Sequence, residues 1–212
     1  MYDACYSRAY EAGAKFVEPV EPTRLLVGLI SDRRIPTGAR VIEFACGEGR
    51  DSIFLAKKGF MVLGTDSSKW AIRRAQERAR EEGVKLDFGV RDLDRLDDLK
   101  DETFDLAVNI DSMSFVTDDV ARERHFQGAF RILKTRGIYF LCSHYARRES
   151  RGRNEGSLVI TSTKGERVRF LIPRVGYLNR TKEGLEKEIT RAGFRILSSK
   201  TTKTSPIPAL CA

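Results

Sequence analysis

Apolar positions along the chain switch between two spacings. Short branched or aromatic runs, ARVIEFA (39–45), FMVLGTD (60–66), VKLDFGV (84–90), FDLAVNI (104–110), GIYFLCS (137–143) and FRILSSKT (194–201), predict six strands. The segments between them carry helical spacing. EPTRLLVGLISDRRI has Pro22 near its start and Leu25, Leu26, Leu29 and Ile30 on one face. GRDSIFLAKKG closes at Gly59, and SSKWAIRRAQERAREEG starts on serine and ends before Gly83. TDDVARERHFQGAFRILK and TKEGLEKEITRAG, the latter running from a Thr181 cap to Gly193, are two more helices. YDACYSRAYEAGAKF reads as a short helix ending near Gly13, and SLVITSTKGERVRFLIP (157–173) as a hairpin about Lys164-Gly165.

Strands alternating with helices predict an α/β fold, a mostly parallel, doubly wound sheet covered on both faces. We expect one domain over 1–212, with N-terminal helices over 1–35 acting as a lid and a β-hairpin excursion over 145–180 after the fifth strand. A chain of 212 residues can bury a core of that kind. At 41% hydrophobic and 32% charged residues it reads as globular. No apolar run reaches the ~20 residues of a membrane span, and the first residues lack the basic-then-apolar order of a signal peptide, so the expectation is a cytoplasmic protein. Cys5, Cys46, Cys142 and Cys211 form no CxxC pair, which predicts neither a metal site nor a disulfide framework.

Charge changes the picture in one place. The net charge is +8, and residues 145–200 carry fourteen Lys or Arg against six Asp or Glu, whereas residues 1–144 carry 23 against 24. The basicity thus belongs to the segment holding the hairpin, where Arg167, Arg169 and Arg174 are candidates to hold an anionic partner.

The chemistry concentrates in VIEFACGEGRDSIFLAKKGFMVLGTD (41–66). In an open parallel sheet a ligand sits at the carboxyl ends of the strands. Gly47 and Gly49 permit close backbone approach there. Asp66, ending the second strand, can accept two hydrogen bonds from a ribose diol. Glu43 lies just ahead of the turn, where it would repel the pyrophosphate of a dinucleotide, and the third glycine of GxGxxG is replaced by Ser52. An acid there suits a ligand with an ammonium group and no phosphate, as in S-adenosylmethionine (SAM).

VIEFACGEGRDSIFLAKKG resembles the first motif of the class I SAM-dependent methyltransferases, an acid followed by x-G-x-G-x-G, and ACGEGRDSIFLA is most similar to the small-molecule branch containing the tellurite-resistance-type enzymes. The resemblance covers about residues 40–143 and departs at Ala45, where the family has its first glycine. It implies a Rossmann-like fold with SAM as cofactor. It implies that Glu43, Ala45, Cys46, Gly47 and Gly49 line the methionine side, that Asp66 holds the ribose and that Ser67 lies beside the adenine. Asp92, with Leu93 after it, would serve the adenine, and Asn109 with IDSMSF would form the lip where cofactor and acceptor meet.

Other candidates sit around that core. Tyr6 and Tyr10, with Tyr2, share one helical face and would close over the site as substrate contacts. His144 directly follows the fifth strand, and Asp111 sits at the fourth-strand lip; either could orient the acceptor or take a proton. His125, mid-helix in RERHFQGAF, reads as a surface or structural residue, and Trp70 as packing. The expected function is methyl transfer to a small-molecule or peptidic acceptor, one carrying negative charge. The alternatives are an RNA methyltransferase and a non-catalytic SAM-binding partner protein. The first of these is disfavoured because NIDS stands where an NPPY-type tetrapeptide would be and no aromatic-interleaved basic surface is present.

Overall fold

The computed structural model describes residues 21–32, 35–143, 145–161 and 167–199. The branched apolar runs become Arg40–Phe44 (β1), Met61–Asp66 (β2), Asp87–Val90 (β3), Phe104–Ile110 (β4) and Leu133–Cys142 (β5). They form one five-stranded sheet in the order β3-β2-β1-β4-β5, with every pair parallel. Strand order therefore reverses between β1 and β4, the point at which an α/β sheet opens a ligand crevice.

Five helices accompany the strands among the described residues: Arg24–Ser31 (α1), Arg50–Lys57 (α2), Lys69–Glu81 (α3), Asp119–Ile132 (α4) and Lys182–Arg191 (α5). Ser68, Asp118 and Thr181 accept hydrogen bonds from the backbone N–H groups of Ala71, Ala121 and Gly184, capping α3, α4 and α5. Alternation along β1 separates two cores. Val41 joins Leu26, Leu55, Val62, Leu106 and Val108 on the face covered by α1 and α2. Ile42 and Phe44 join Leu96, Phe104, Ala107, Ala129 and Ile132 on the face covered by α4. Burial on both faces explains why these strands read as continuous apolar runs.

The hairpin is longer than its sequence pattern predicts. Ser150–Thr161 (β6) pairs antiparallel with Arg167–Asn179 (β7), so the strands absorb part of the basic stretch RRESRGR. The third strand is shorter than predicted, because the Val84 N–H returns to the Ala79 carbonyl at 2.8 Å to close α3 and leaves pairing to begin at Asp87. The predicted sixth strand does not form: residues 194–199 have no ladder. Phe194 instead stacks on Tyr139 at 5.3 Å and meets Phe130 edge-on at 5.1 Å, while Leu197 remains 65% exposed. Side-chain contacts, not backbone pairing, hold that run: the Phe194 ring and a hydrogen bond between Ser199 and Glu186. The predicted N-terminal helix over residues 2–13 lies outside the described residues.

An ionic cluster fixes the base of the hairpin. Arg122, on α4 and 2% exposed, grips Glu188 of α5 through Nε at 3.0 Å and Nη2 at 2.6 Å. Arg180, just past β7, donates to the same Glu188 at 2.7 Å, to Asp119 at 2.6 Å and to Glu149 at 3.1 Å. Removing one member of a buried pair leaves the other desolvated and unpaired. Arg122→Met should therefore cost about 3 kcal/mol in urea denaturation, with the Arg122→Met/Glu188→Met double variant recovering part of the loss.

Candidate functional site

β1 delivers the chain to the carboxyl edge of the sheet, and the turn that follows is bent by positive backbone angles. Ala45 (φ 51°), Gly47 (φ 54°) and Gly49 (φ 79°) are all left-handed. Glycine adopts this conformation without strain, but a Cβ at Ala45 costs about 1–2 kcal/mol. The two glycines serve different ends. A Cβ at Gly49 would lie 2.9 Å from the Phe88 ring and 3.0 Å from Ala75 Cβ, so Gly49 lets α2 start tight against the sheet. Among the described residues a Cβ at Gly47 would meet nothing within 4 Å, which leaves open space above the turn for a ligand.

Asp66 holds the turn from the next strand. Its Oδ2 accepts from the Gly47 N–H at 3.0 Å and its Oδ1 from the Ser68 N–H at 2.9 Å. Glu43 faces Gly64 across the β1–β2 pairing and is 4% exposed. A Cβ at Gly64 would lie 2.7 Å from Ser52 Oγ, so glycine makes room for the hydroxyl that bonds the Glu43 carboxyl. Burial above all, then the Asp51 charge, pushes the Glu43 carboxyl up to about 8, against the opposing pull of Ser52 and Arg50.

Asp51, which the motif reading passed over, is 2% exposed and accepts from the Thr23 N–H at 2.6 Å and the Thr23 hydroxyl at 2.8 Å. Arg50 bonds both Asp51 (2.7 Å) and Thr23 Oγ1 (2.6 Å). The start of α1 is thereby tied to the first turn of α2, beside the glycine turn. An acid in a helix's first turn is the only sequence signal it gives.

Beyond Asp66, Ser67 and Asp92 line one open cleft of about 1090 Å³ together with Val90, Leu96, Arg124 and Gly128. Leu93 is partly buried against the core containing Ile42 and Phe44. Asn109 is fully buried, with Oδ1 accepting from the Ser112 hydroxyl at 2.6 Å and Nδ2 lying 3.2 Å from His125 Nε2. In this structure it therefore supports the lip from beneath instead of lining the cleft. Asp111 is exposed, carries a left-handed φ of 56° and donates its N–H to the Cys142 carbonyl at 2.8 Å. A strained non-glycine residue at a strand's carboxyl end is a common feature of functional sites. The Cys142 thiol is pushed up to about 11 by burial and by Asp111 and Asp51, and so stays protonated. Cys46 is buried, its thiol likewise raised by burial and by Glu43 and Asp66.

His125 is wholly buried and held well inside the protein, not at its surface. Trp70 is half-buried, with Lys69 Nζ 5.7 Å from its ring centre. Tyr6, Tyr10 and His144 lie outside the described residues, as do the side chains of Arg167, Arg169 and Arg174, whose backbones belong to β7. Among the described residues no group of three His, Cys, Asp or Glu side chains could hold a metal ion, and no helix is long and apolar enough to cross a membrane.

Residues 41–137 match the family model described as a methyltransferase domain. Putative methyltransferase YqeM of Bacillus subtilis is 29% identical over 68% of this chain and 53% of its own length. The cypemycin N-terminal methyltransferase of a Streptomyces species is 28% identical over 66% of this chain and 55% of its own. The chain spans about half the length, or less, of the curated relatives it matches. A SAM-dependent methyltransferase structure from Clostridium acetobutylicum superposes with a TM-score of 0.67 at 16% identity, covering 93% of this chain and 88% of that one, which establishes the fold.

Two measurements test this geometry. Glu43 is raised above its unfolded value of 4.5, so its contribution to stability is full below pH 4.5 and is lost as pH rises towards 8. Glu43→Gln should abolish that loss, which runs at about 1.4 kcal/mol per pH unit at most, and should exceed the wild type in stability at pH 8.5. Ala45→Gly should raise stability by about 0.5–1 kcal/mol, the relieved left-handed strain less the added unfolded-state entropy, in thermal or urea unfolding.

Proposed function

We propose that the chain, whose residues 41–137 match a methyltransferase domain, is a class I SAM-dependent enzyme that transfers a methyl group from SAM to a small-molecule or peptidic acceptor. The observation that carries this reading is the pairing of Glu43 and Asp66 around a glycine turn with open space above Gly47. When bound, SAM supplies a methyl group already activated on a sulfonium, so the residues around it need only bind, orient and exclude water. Asp66 keeps acceptor capacity for the ribose diol while its carboxylate shapes the turn. With its carboxyl raised to about 8, Glu43 is mainly protonated at neutral pH; an ammonium bound above it would favour its charged form, whereas a pyrophosphate would gain nothing from it. Ser67 and Asp92 bound the cleft at the adenine end.

Alignment of acceptor and methyl group can itself supply roughly 7–11 kcal/mol of barrier reduction. Asp111, exposed at the lip after β4, is our choice for the residue that orients the acceptor or accepts its proton, with His144, which follows β5 in the sequence, the second choice. The hairpin is our choice for the substrate cap. It leaves the sheet on the carboxyl side of β5, and its foot is closed by the Ala146 N–H to the Arg180 carbonyl at 2.9 Å. Its backbone places Arg167 opposite Thr161 and Arg169 opposite Val159. Arginine's planar fork matches carboxylates and phosphates, which supports an anionic acceptor. A peptidic acceptor is supported by the relative named for a cypemycin N-terminus.

Two outcomes test the reading. Asp66→Ala should weaken SAM binding by roughly 10- to 150-fold in calorimetry, the loss of ~1.5–3 kcal/mol from a charged acceptor; unchanged affinity would remove Asp66 from the site. Once an acceptor is in hand, the combined Arg167→Gln, Arg169→Gln and Arg174→Gln variant should raise its KM severalfold and leave SAM affinity intact. Unaltered acceptor kinetics in that folded variant would take the hairpin out of the site.

A further inference from the structure

α4 carries two buried polar side chains one turn apart, Arg122 and His125, at 2% and 0% exposure. Arg122 donates to the Met113 and Val116 carbonyls and so holds the lip after β4 from one side. His125 reaches three separate segments. Its Nδ1 lies 2.9 Å from the Leu93 carbonyl, in the loop that follows Asp92. Its Nε2 lies 2.8 Å from the Tyr139 hydroxyl on β5 and 3.2 Å from Asn109 Nδ2 on β4. Asn109 Oδ1 in turn accepts from Ser112 in the lip at 2.6 Å.

The chemistry of the partners fixes the tautomer. A carbonyl can only accept, so Nδ1 carries the proton and Nε2 is left as the acceptor. The Tyr139 hydroxyl donates to Nε2, and Asn109 hydrogen-bonds that same hydroxyl. Burial holds the imidazole neutral by lowering its pKa to about 4, so this tautomer persists across the physiological range. Phe44 and Phe126 meet the ring edge-on at 4.9 and 5.4 Å and pack it in place. A packed core would be served as well by leucine at this position, and burying an imidazole is costly unless its nitrogens are satisfied. What the histidine adds is a link.

We propose that His125 is a positioning residue that ties the adenine-side loop at Asp92–Leu93 to the acceptor-side lip at Asn109–Ser112, so that the two halves of the methyl-transfer cleft are set by one ring. This rests on the SAM reading above. The ring is wholly buried and acts through the Leu93 carbonyl on one side and through Tyr139 and Asn109 on the other.

The two sides separate by substitution. Asparagine at this position keeps an N–H close to where Nδ1 stood and loses the reach to Tyr139, whereas leucine keeps the packing and loses both bonds. The probe is S-adenosylhomocysteine, with affinity read by calorimetry and the lip read by hydrogen exchange at Phe115 and Val116. His125→Leu should weaken binding by about 3- to 10-fold, and His125→Asn should restore it to within about 2-fold of wild type although both lower the melting temperature. Tyr139→Phe, which removes only the hydroxyl, should leave affinity unchanged. Lip exchange should accelerate in all three. Equal weakening by His125→Asn and His125→Leu, or unaltered lip exchange in folded Tyr139→Phe, would overturn the link while leaving the SAM reading in place. Failure of the wild-type protein to bind S-adenosylhomocysteine would overturn the SAM reading and the link with it.

Discussion

The hydrogen bond from the Gly47 N–H to Asp66 Oδ2, at 3.0 Å, joins two loops separated by nineteen residues of chain. The rest of the site depends on it. It can form only if β1 and β2 lie side by side in register, if the turn accepts left-handed angles at Ala45, Gly47 and Gly49, and if α2 begins tight against the sheet. Each condition traces to a small residue. Gly64 admits Ser52, Gly49 admits Phe88 and Ala75, and Gly47 carries nothing that would occupy the space above it. Close packing on one side of the turn creates the vacancy on the other.

The same economy governs the charges. Glu43 and Asp51 are both buried beneath the turn, and neither is left as a bare carboxylate. Ser52 bonds the first, and the second is wrapped by Thr23 and Arg50. Their mutual repulsion, added to burial, raises Glu43, which makes the pocket floor responsive to an incoming cation. On the far face of the sheet α4 carries the complementary arrangement. Arg122 and His125 reach out of an apolar core to hold main-chain carbonyls of the loops that border the cleft. The cleft is thus braced from both faces by buried polar groups whose partners are both side chains and backbone.

How much of this was legible in the sequence follows from the range of the forces involved. Glycine turns, caps and apolar periodicity act locally, so the five parallel strands, the helices between them and the Glu43/Asp66 bracket could be read directly, and the hairpin was visible from its two β-rich runs. Features set by distant contacts could not. FRILSS reads as a strand on its own, yet Phe194 packs on Tyr139 and Phe130 and the run joins no ladder. Asn109 looks like a lip residue by position, but Ser112 and His125 engage its amide from below. His125 itself sits mid-helix in a charged stretch, RERHFQ, and nothing in its neighbours announces three tertiary partners drawn from Leu93, Asn109 and Tyr139. Asp51 was hidden by the motif it belongs to, its partner Thr23 being 28 residues upstream.

The central claim is that this turn, bracketed by the carboxyl groups of Glu43 and Asp66, selects a cationic nucleoside over a phosphorylated one. The most direct measurement is a side-by-side calorimetric titration of the wild-type protein with SAM and with NAD under identical salt and pH. The account predicts saturable one-site binding of SAM, with NAD weaker by at least about two orders of magnitude. NAD binding as tightly as SAM would contradict it.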